Sequence, residues 1–383
     1  MLNILIIEPY LTGSHATWAK GYQKFSAHKV EILGLQGRYW KWRMHGGAVT
    51  LAKKFMEGDC KPDLILATDM LDVTTFLSLT RKRTNHVPLA LYFHENQLTY
   101  PWSPHDRDII HKRDRHYGFI NYSSALAANT VLFNSDYHKE SFLSELVPFL
   151  KHFPDYNELE TVEEIRKKSS VLHLGLDLSS LDRYRIRKDS GNEKTPLILW
   201  NHRWEYDKNP IGFFNALYLL ADNGVDFQLA IVGENFRKRP GEFKAAKERL
   251  GRRVVQYGYA KSFEEYASWL WKSDIMPVTS NQDFFGGSVI EGIYCNSYPL
   301  LPKRLAYPEH IPQKRHSDFF YDDFNHLVTG LEWLIKNIAH VRRQNVAGFA
   351  ENYKWEKMAP LYDETFDLIS KESTPKDVAL LEP

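Results

Sequence analysis

The chain has 383 residues, of which 43% are apolar and 25% charged, with a formal net charge of +1. This length exceeds one ordinary core and suits two soluble globular domains. Two cysteines, Cys60 and Cys295, argue against a disulfide framework or a cysteine zinc site, and no apolar run reaches membrane-spanning length.

Met1 opens directly onto an apolar run, Leu2–Ile7, which leaves no room for a signal peptide and predicts a cytoplasmic protein without a membrane partner. Strand-like runs follow at Val30–Leu35, Leu64–Ala67, Leu89–Phe93, Thr130–Phe133 and Ser170–Leu174. Helical spacing lies between them, at Trp18–Phe25, Thr50–Glu57, Val73–Lys82 and Gly118–Ala128. Such alternation predicts a parallel sheet covered by helices. A polar stretch, Asp182–Pro196, interrupts the series. Strands then resume at Leu197–Trp200, Gln228–Val232, Val254–Tyr257, Ile275–Val278 and Tyr298–Leu301, with helices at Asn209–Asn223, Phe243–Leu250, Phe263–Lys272 and Ser288–Cys295. The predicted class is α/β, with two Rossmann-like, doubly wound domains facing a central cleft, where ligands meet the C-terminal ends of the strands. The expected domains are residues 1–185 and 186–352. An amphipathic tail from 353 packs back on the first domain, and the chain after Glu372 frays.

Two loops carry the strongest chemistry. His202-Arg203-Trp204-Glu205-Tyr206-Asp207-Lys208-Asn209-Pro210 leaves a strand and enters a helix. The Arg203 guanidinium can grip a phosphate while the Lys208 ammonium neutralises its neighbour. Asp283-Phe284-Phe285-Gly286-Gly287-Ser288-Val289-Ile290-Glu291 does the same on another strand. Gly286, Gly287 and Ser288 let backbone N–H groups approach phosphates, Glu291 suits ribose hydroxyls, and Asp283 suits sugar hydroxyls. Together they predict a site for a nucleotide sugar.

In the first half, Gly13-Ser14-His15 follows the first strand, where a Gly-Ser turn can sit under a diphosphate or admit an acceptor. No G-x-G-x-x-G stands there, which disfavours a nicotinamide or flavin cofactor. His94-Glu95-Asn96-Gln97 closes another strand with four polar residues; His94 is expected at the reacting sugar, and Glu95, Asn96 and Gln97 at the acceptor. Arg38, Trp40, Lys41, Trp42 and Arg43 interleave cations and aromatics in an expected loop, a combination that suits RNA with unpaired bases or, more plainly, a loop anchor with solvated charges. His105, His111 and His116 match no zinc signature, so no protein-held metal and no cofactor are expected. The rival readings are a glycosyltransferase with a glycan, lipid or small-metabolite acceptor, a non-catalytic RNA-binding protein on a transferase scaffold, and an epimerase or phosphorylase of the same architecture.

These motifs, with Phe133-Asn134-Ser135 and Tyr294-Cys295 through Pro299, resemble the retaining GT-B glycosyltransferases and, more closely, the tRNA-queuosine mannosyltransferase family, from Ile4 to about Tyr353. The resemblance implies transfer of mannose from GDP-mannose to the cyclopentene-diol of queuosine in an aspartate tRNA, with retention and without metal. It implies that Arg203 and Lys208 bind the diphosphate, that Glu291 binds the ribose, and that His94 lies near the reacting sugar. The wider group has glutamate where this chain has Asp283.

Overall fold

The computed structural model describes residues 1–103, 106, 108, 115–186, 195–233 and 241–372. His105, His111, the Lys188–Asn192 stretch and the chain after Glu372 lie outside the described residues. The chain divides into two compact units, Met1–Leu176 with Trp355–Pro383, and Asp177–Lys354.

The first unit is built on β1 (Asn3–Leu11), β2 (Lys29–Gln36), β3 (Leu64–Thr68), β4 (Leu89–Phe93), β5 (Thr130–Phe133) and β6 (Ser169–Val171). They pair in the order β2-β1-β3-β4-β5-β6, and every pairing is parallel. Side chains alternate across this sheet, and the alternation assigns the core to its two faces. Leu5, Ile7, Ile65, Ala67, Leu89, Leu91 and Phe93 join one apolar cluster, which includes Leu51 and Phe55 of helix α2 (Trp40–Glu57) and Phe76 of helix α3 (Val73–Thr84). Ile4, Ile6, Leu64, Leu66, Ala90 and Tyr92 join the other, with Trp18 and Tyr22 of helix α1 (Gly13–Phe25). The C-terminal helix, Trp355–Glu372, supplies Trp355, Met358, Tyr362 and Phe366 to that second cluster.

Several boundaries differ from the sequence reading. Helix α1 begins five residues before Trp18, and β6 ends at Val171 instead of Leu174. The larger difference is at Arg38–Arg43, expected as a loop: Trp40 is the first residue of α2. The buried stripe Met44, Gly47, Ala48, Leu51, Ala52, Phe55 has helical spacing and extends the helix back through this segment. Helix Asp136–Lys151, capped by Ser135 accepting the His138 N–H, adds to the helices expected from spacing.

The second unit pairs β7 (Leu197–Trp200), β8 (Gln228–Ile231), β9 (Val254–Tyr257), β10 (Ile275–Pro277), β11 (Tyr298–Pro302) and β12 (Phe320–Tyr321) in the order β12-β11-β10-β7-β8-β9, all parallel. Strand order reverses between β1 and β3 in the first sheet and between β7 and β10 in the second. At such a reversal the connections leave in opposite directions and open a crevice beyond the strand ends, where ligands of doubly wound sheets bind.

Candidate active site

The first unit's reversal gathers groups from three connections, those after β1, β3 and β4. Glu8, fully buried at the end of β1, accepts from the Tyr10 N–H at 2.7 Å and binds His15 Nδ1 at 2.9 Å. The His15 ring lies 4.4 Å from that of His94, which also meets the edge of Trp18. Asp69, just past β3, accepts the His94 backbone N–H at 2.8 Å. Burial opposes charge on His15, but Glu8, Asp69 and Glu95 outweigh it and raise its pKa to about 9. His94 is driven the other way, well below the ordinary histidine value, by burial and by the positive charge of His15. Burial also pushes Asp69 well above the usual carboxylate range. The result is a cationic ring beside a neutral one. The His94 Nε2 and Asp69 Oδ2 atoms are buried without partners among the described residues, the kind of vacancy a bound polar ligand fills. Ligand-type atoms of Glu8, His15 and His94 lie within 4.8 Å of one another, although the Glu8–His15 hydrogen bond already satisfies two of them.

Of the other expected acceptor residues here, Glu95 and Gln97 hydrogen-bond each other at 3.0 Å. Asn96 is buried, and its Oδ1 accepts the Leu98 and Thr99 N–H groups, so it shapes the turn. Asn121, unmarked in sequence, ties the loops together by donating to the Asp69 carbonyl and accepting the Gln97 N–H. Gly13 and Ser14 are exposed at the start of α1. In α2, the Trp40 ring meets that of Tyr117 at a tilt, centroids 5.1 Å apart, and the Lys41 ammonium is held by Asp106 at 2.6 Å and by Asp108. Arg43 donates to the Gln36 carbonyl, while Arg38 is exposed. His116 stacks on His45 at 4.5 Å.

The second unit's reversal brings both predicted loops together. The Lys208 ammonium, nearly buried, donates to the Gln282 carbonyl at 2.7 Å and to Asp283 Oδ1 at 2.8 Å, and lies 3.2 Å from Asp207. Tyr307 donates to the second Asp283 oxygen at 2.5 Å. Burial works against the Asp283 carboxylate, but Lys208, His202 and these hydrogen bonds prevail and hold its pKa below the ordinary value. Arg203 is 43% exposed, 3.2 Å from Glu205 and 3.9 Å from the buried Asp207. Thus the two cations are unequal: Lys208 locks the Asp283 loop, and Arg203 faces outward.

Gly286 has φ +89°, a left-handed conformation that glycine adopts without strain, and it starts the helix Gly287–Tyr294. That turn leaves the Gly287 and Ser288 N–H groups without acceptors among the described residues. Asn201 donates to the Ser288 carbonyl at 2.7 Å, and His202 meets the Ser288 hydroxyl at 3.1 Å. Burial lowers the His202 pKa to about 4, so this ring is neutral. Glu291 accepts from Tyr266 at 2.6 Å; burial raises its pKa and the Tyr266 hydrogen bond partly offsets the rise. Glu8, Asp69 and Asp207 had a sequence signal, being acidic residues at strand ends or inside a marked loop. Tyr266 and Tyr307 had none.

Two all-parallel, six-stranded Rossmann-like units are the architecture of the GT-B class, and the family matches make the chain a glycosyltransferase of that class. The group 1 glycosyl transferases match residues 182–347. Solved structures share the fold: sucrose-phosphate synthase from Thermosynechococcus elongatus (13% identity, 97% of this chain and 100% of that one, TM-score 0.70) and Anabaena HepE in complex with UDP and glucose (14%, 96% and 100%, 0.66). The tRNA-queuosine alpha-mannosyltransferase N-terminal family matches residues 3–176. A Drosophila melanogaster tRNA-queuosine alpha-mannosyltransferase is 33% identical over 366 residues, covering 93% of each chain. The chain belongs to the tRNA-queuosine alpha-mannosyltransferase family.

Proposed function

We propose that this protein transfers mannose from GDP-mannose, with retention of configuration, to the cyclopentene-diol of queuosine in the anticodon of an aspartate tRNA. The observation that carries the reading is the likeness to the Drosophila tRNA-queuosine alpha-mannosyltransferase along nearly the whole of both chains.

In this reading the diphosphate binds at the second unit's strand reversal. Arg203 leaves Glu205 to grip it, the Gly287 and Ser288 N–H groups donate to it, and Lys208 fixes Asp283 toward the sugar. Glu291 holds the ribose hydroxyls. The first unit contributes Gly13 and Ser14 to the donor and His94 to the reacting sugar. His15, Glu95 and Gln97 meet the acceptor, while Arg38, Trp42 and Arg43 meet the RNA. Trp40, Lys41 and Asn96 support these groups from behind. No covalent nucleophile is assigned. The leaving diphosphate takes the acceptor's proton on the same face, and the protein stabilises the charge that develops on it. No cofactor or protein-held metal takes part, and the reaction is cytoplasmic.

The test incubates the protein with a panel of sugar nucleotides and queuosine-containing tRNA, then weighs the nucleosides after digestion. A hexose added to queuosine only with GDP-mannose is the expected result; no mass gain with any donor refutes the assignment.

A further inference from the structure

Helix α2 presents an aromatic surface that its own fold leaves unused. Trp42 is 64% exposed, and its ring has no aromatic partner and no acceptor for its Nε1–H among the described residues. Its indole lies flat along the helix: a Cβ added at Gly46 would meet Trp42 Cζ2 and Cε2 at 2.6 and 2.7 Å. A side chain at this position would displace the ring, which glycine lets settle over the helix while 64% of the residue stays exposed. Tyr39, at the helix cap, is 79% exposed and has φ +53°, a left-handed conformation that is unfavourable for a bulky residue. A strained backbone holding an unpartnered aromatic ring marks a position kept for contact, because stability alone would replace it.

The charge of the segment identifies the partner. From Ile32 to Met56 there is no acidic residue, while Arg38, Lys41, Arg43, Lys53 and Lys54 are all cationic. Lys41 is neutralised by Asp106 and Asp108, and Lys53 lies 3.8 Å from Glu57, but Arg38 and Lys54 are exposed. Exposed ring faces between cations suit a polyanion with unstacked bases, as in the single-stranded part of a folded RNA. A duplex hides its base faces and so offers these rings nothing to stack on.

We propose that Trp42, bedded on Gly46, and Tyr39 form a stacking platform for unpaired bases of the RNA acceptor, with Arg38 beside Tyr39 in the chain for its phosphates. This rests on the RNA-acceptor reading above and assigns its base contacts. Cations fix where the strand lies; the rings distinguish looped from paired RNA.

The test measures binding of the full chain to an RNA stem-loop and to a blunt duplex of equal nucleotide count, across a salt series. Trp42→Ala weakens stem-loop binding by roughly five- to a hundredfold, the worth of one stacked base, without changing the salt slope. Trp42→Phe recovers most of that loss, and Gly46→Val, which displaces the ring, reproduces it. Arg38→Ala instead lowers the salt slope by about one and weakens both RNAs alike. Tyr39→Asn, which tolerates the left-handed backbone, keeps or raises the melting temperature while weakening stem-loop binding. Unchanged stem-loop binding by Trp42→Ala, or equal losses on stem-loop and duplex, overturns the platform alone. If the unsubstituted protein binds neither RNA, the acceptor reading fails and the platform with it.

Discussion

Arg203 and Lys208 look alike in sequence and differ in the fold. Lys208 is enclosed by Asp207, Asp283 and the Gln282 carbonyl, so removing it leaves the buried Asp207 with only Arg203 at 3.9 Å and the partly buried Asp283 with only the Tyr307 hydroxyl. Lys208→Ala is therefore expected to lose stability, by about 3–5 kcal/mol as for other broken buried pairs, along with activity; urea unfolding checks it. Arg203 is partly in water and its loss leaves the fold intact. Arg203→Ala should keep its melting temperature and lose transfer by on the order of a hundredfold, the usual effect of deleting one transition-state donor. Glu8 and His15 carry the pH dependence. The folded His15 pKa stands at about 9 against an ordinary 6.5, so the pair's contribution to stability is complete below 6.5 and disappears as pH rises through about 9. Glu8→Gln should flatten stability over that window, which urea unfolding at a series of pH values will read.

Strand ends place these side chains only because neighbouring backbones approach closely. Past β8, a Cβ on Gly233 would stand 1.6 Å from the His202 carbonyl oxygen, which also accepts from Trp200 Nε1 at 3.0 Å. Gly233→Ala must therefore push aside the loop that carries His202 and Arg203. Weaker binding of GDP by isothermal titration and a lower melting temperature are expected; wild-type values for both would show that the loop adapts. Helix α2 illustrates the opposite case. Its buried stripe is ordinary core, and the residues that packing does not use, Tyr39 and Trp42, are left on the surface.

The first unit is discontinuous: it is completed by chain that follows the second. Trp355 packs where Cβ atoms on Gly21 and Gly175 would collide with its ring, and Tyr362 links Trp18, Tyr92 and the His173 carbonyl through its hydroxyl. Asp363 accepts from Tyr22, Ser26 and the Ala27 N–H. Burial of a large apolar side chain is worth about 1.5–3 kcal/mol, and this helix buries Trp355, Met358, Tyr362, Phe366 and Ile369. Ending the chain at Lys354 should leave the first unit unable to fold, seen as rapid proteolysis of that unit in a trypsin time course. Survival of an intact first-unit fragment would contradict this.

The sequence by itself determined the layered α/β class, nearly every strand, and the two loops that carry Arg203, Lys208, Asp283 and Glu291, because apolar period and polar residues at strand ends are local signals. It also carried Gly286, since a turn into a helix calls for glycine wherever it occurs. Only the tertiary structure decided which groups meet. Glu8, Asp69 and His94 come from three strands, and Tyr266 and Tyr307 reach their carboxylates from helices with no motif of their own. It likewise decided that Lys208 is a clamp and Arg203 an outward-facing cation. Those distinctions depend on burial and on long-range hydrogen bonds, and neither is encoded in the spacing of residues along a chain.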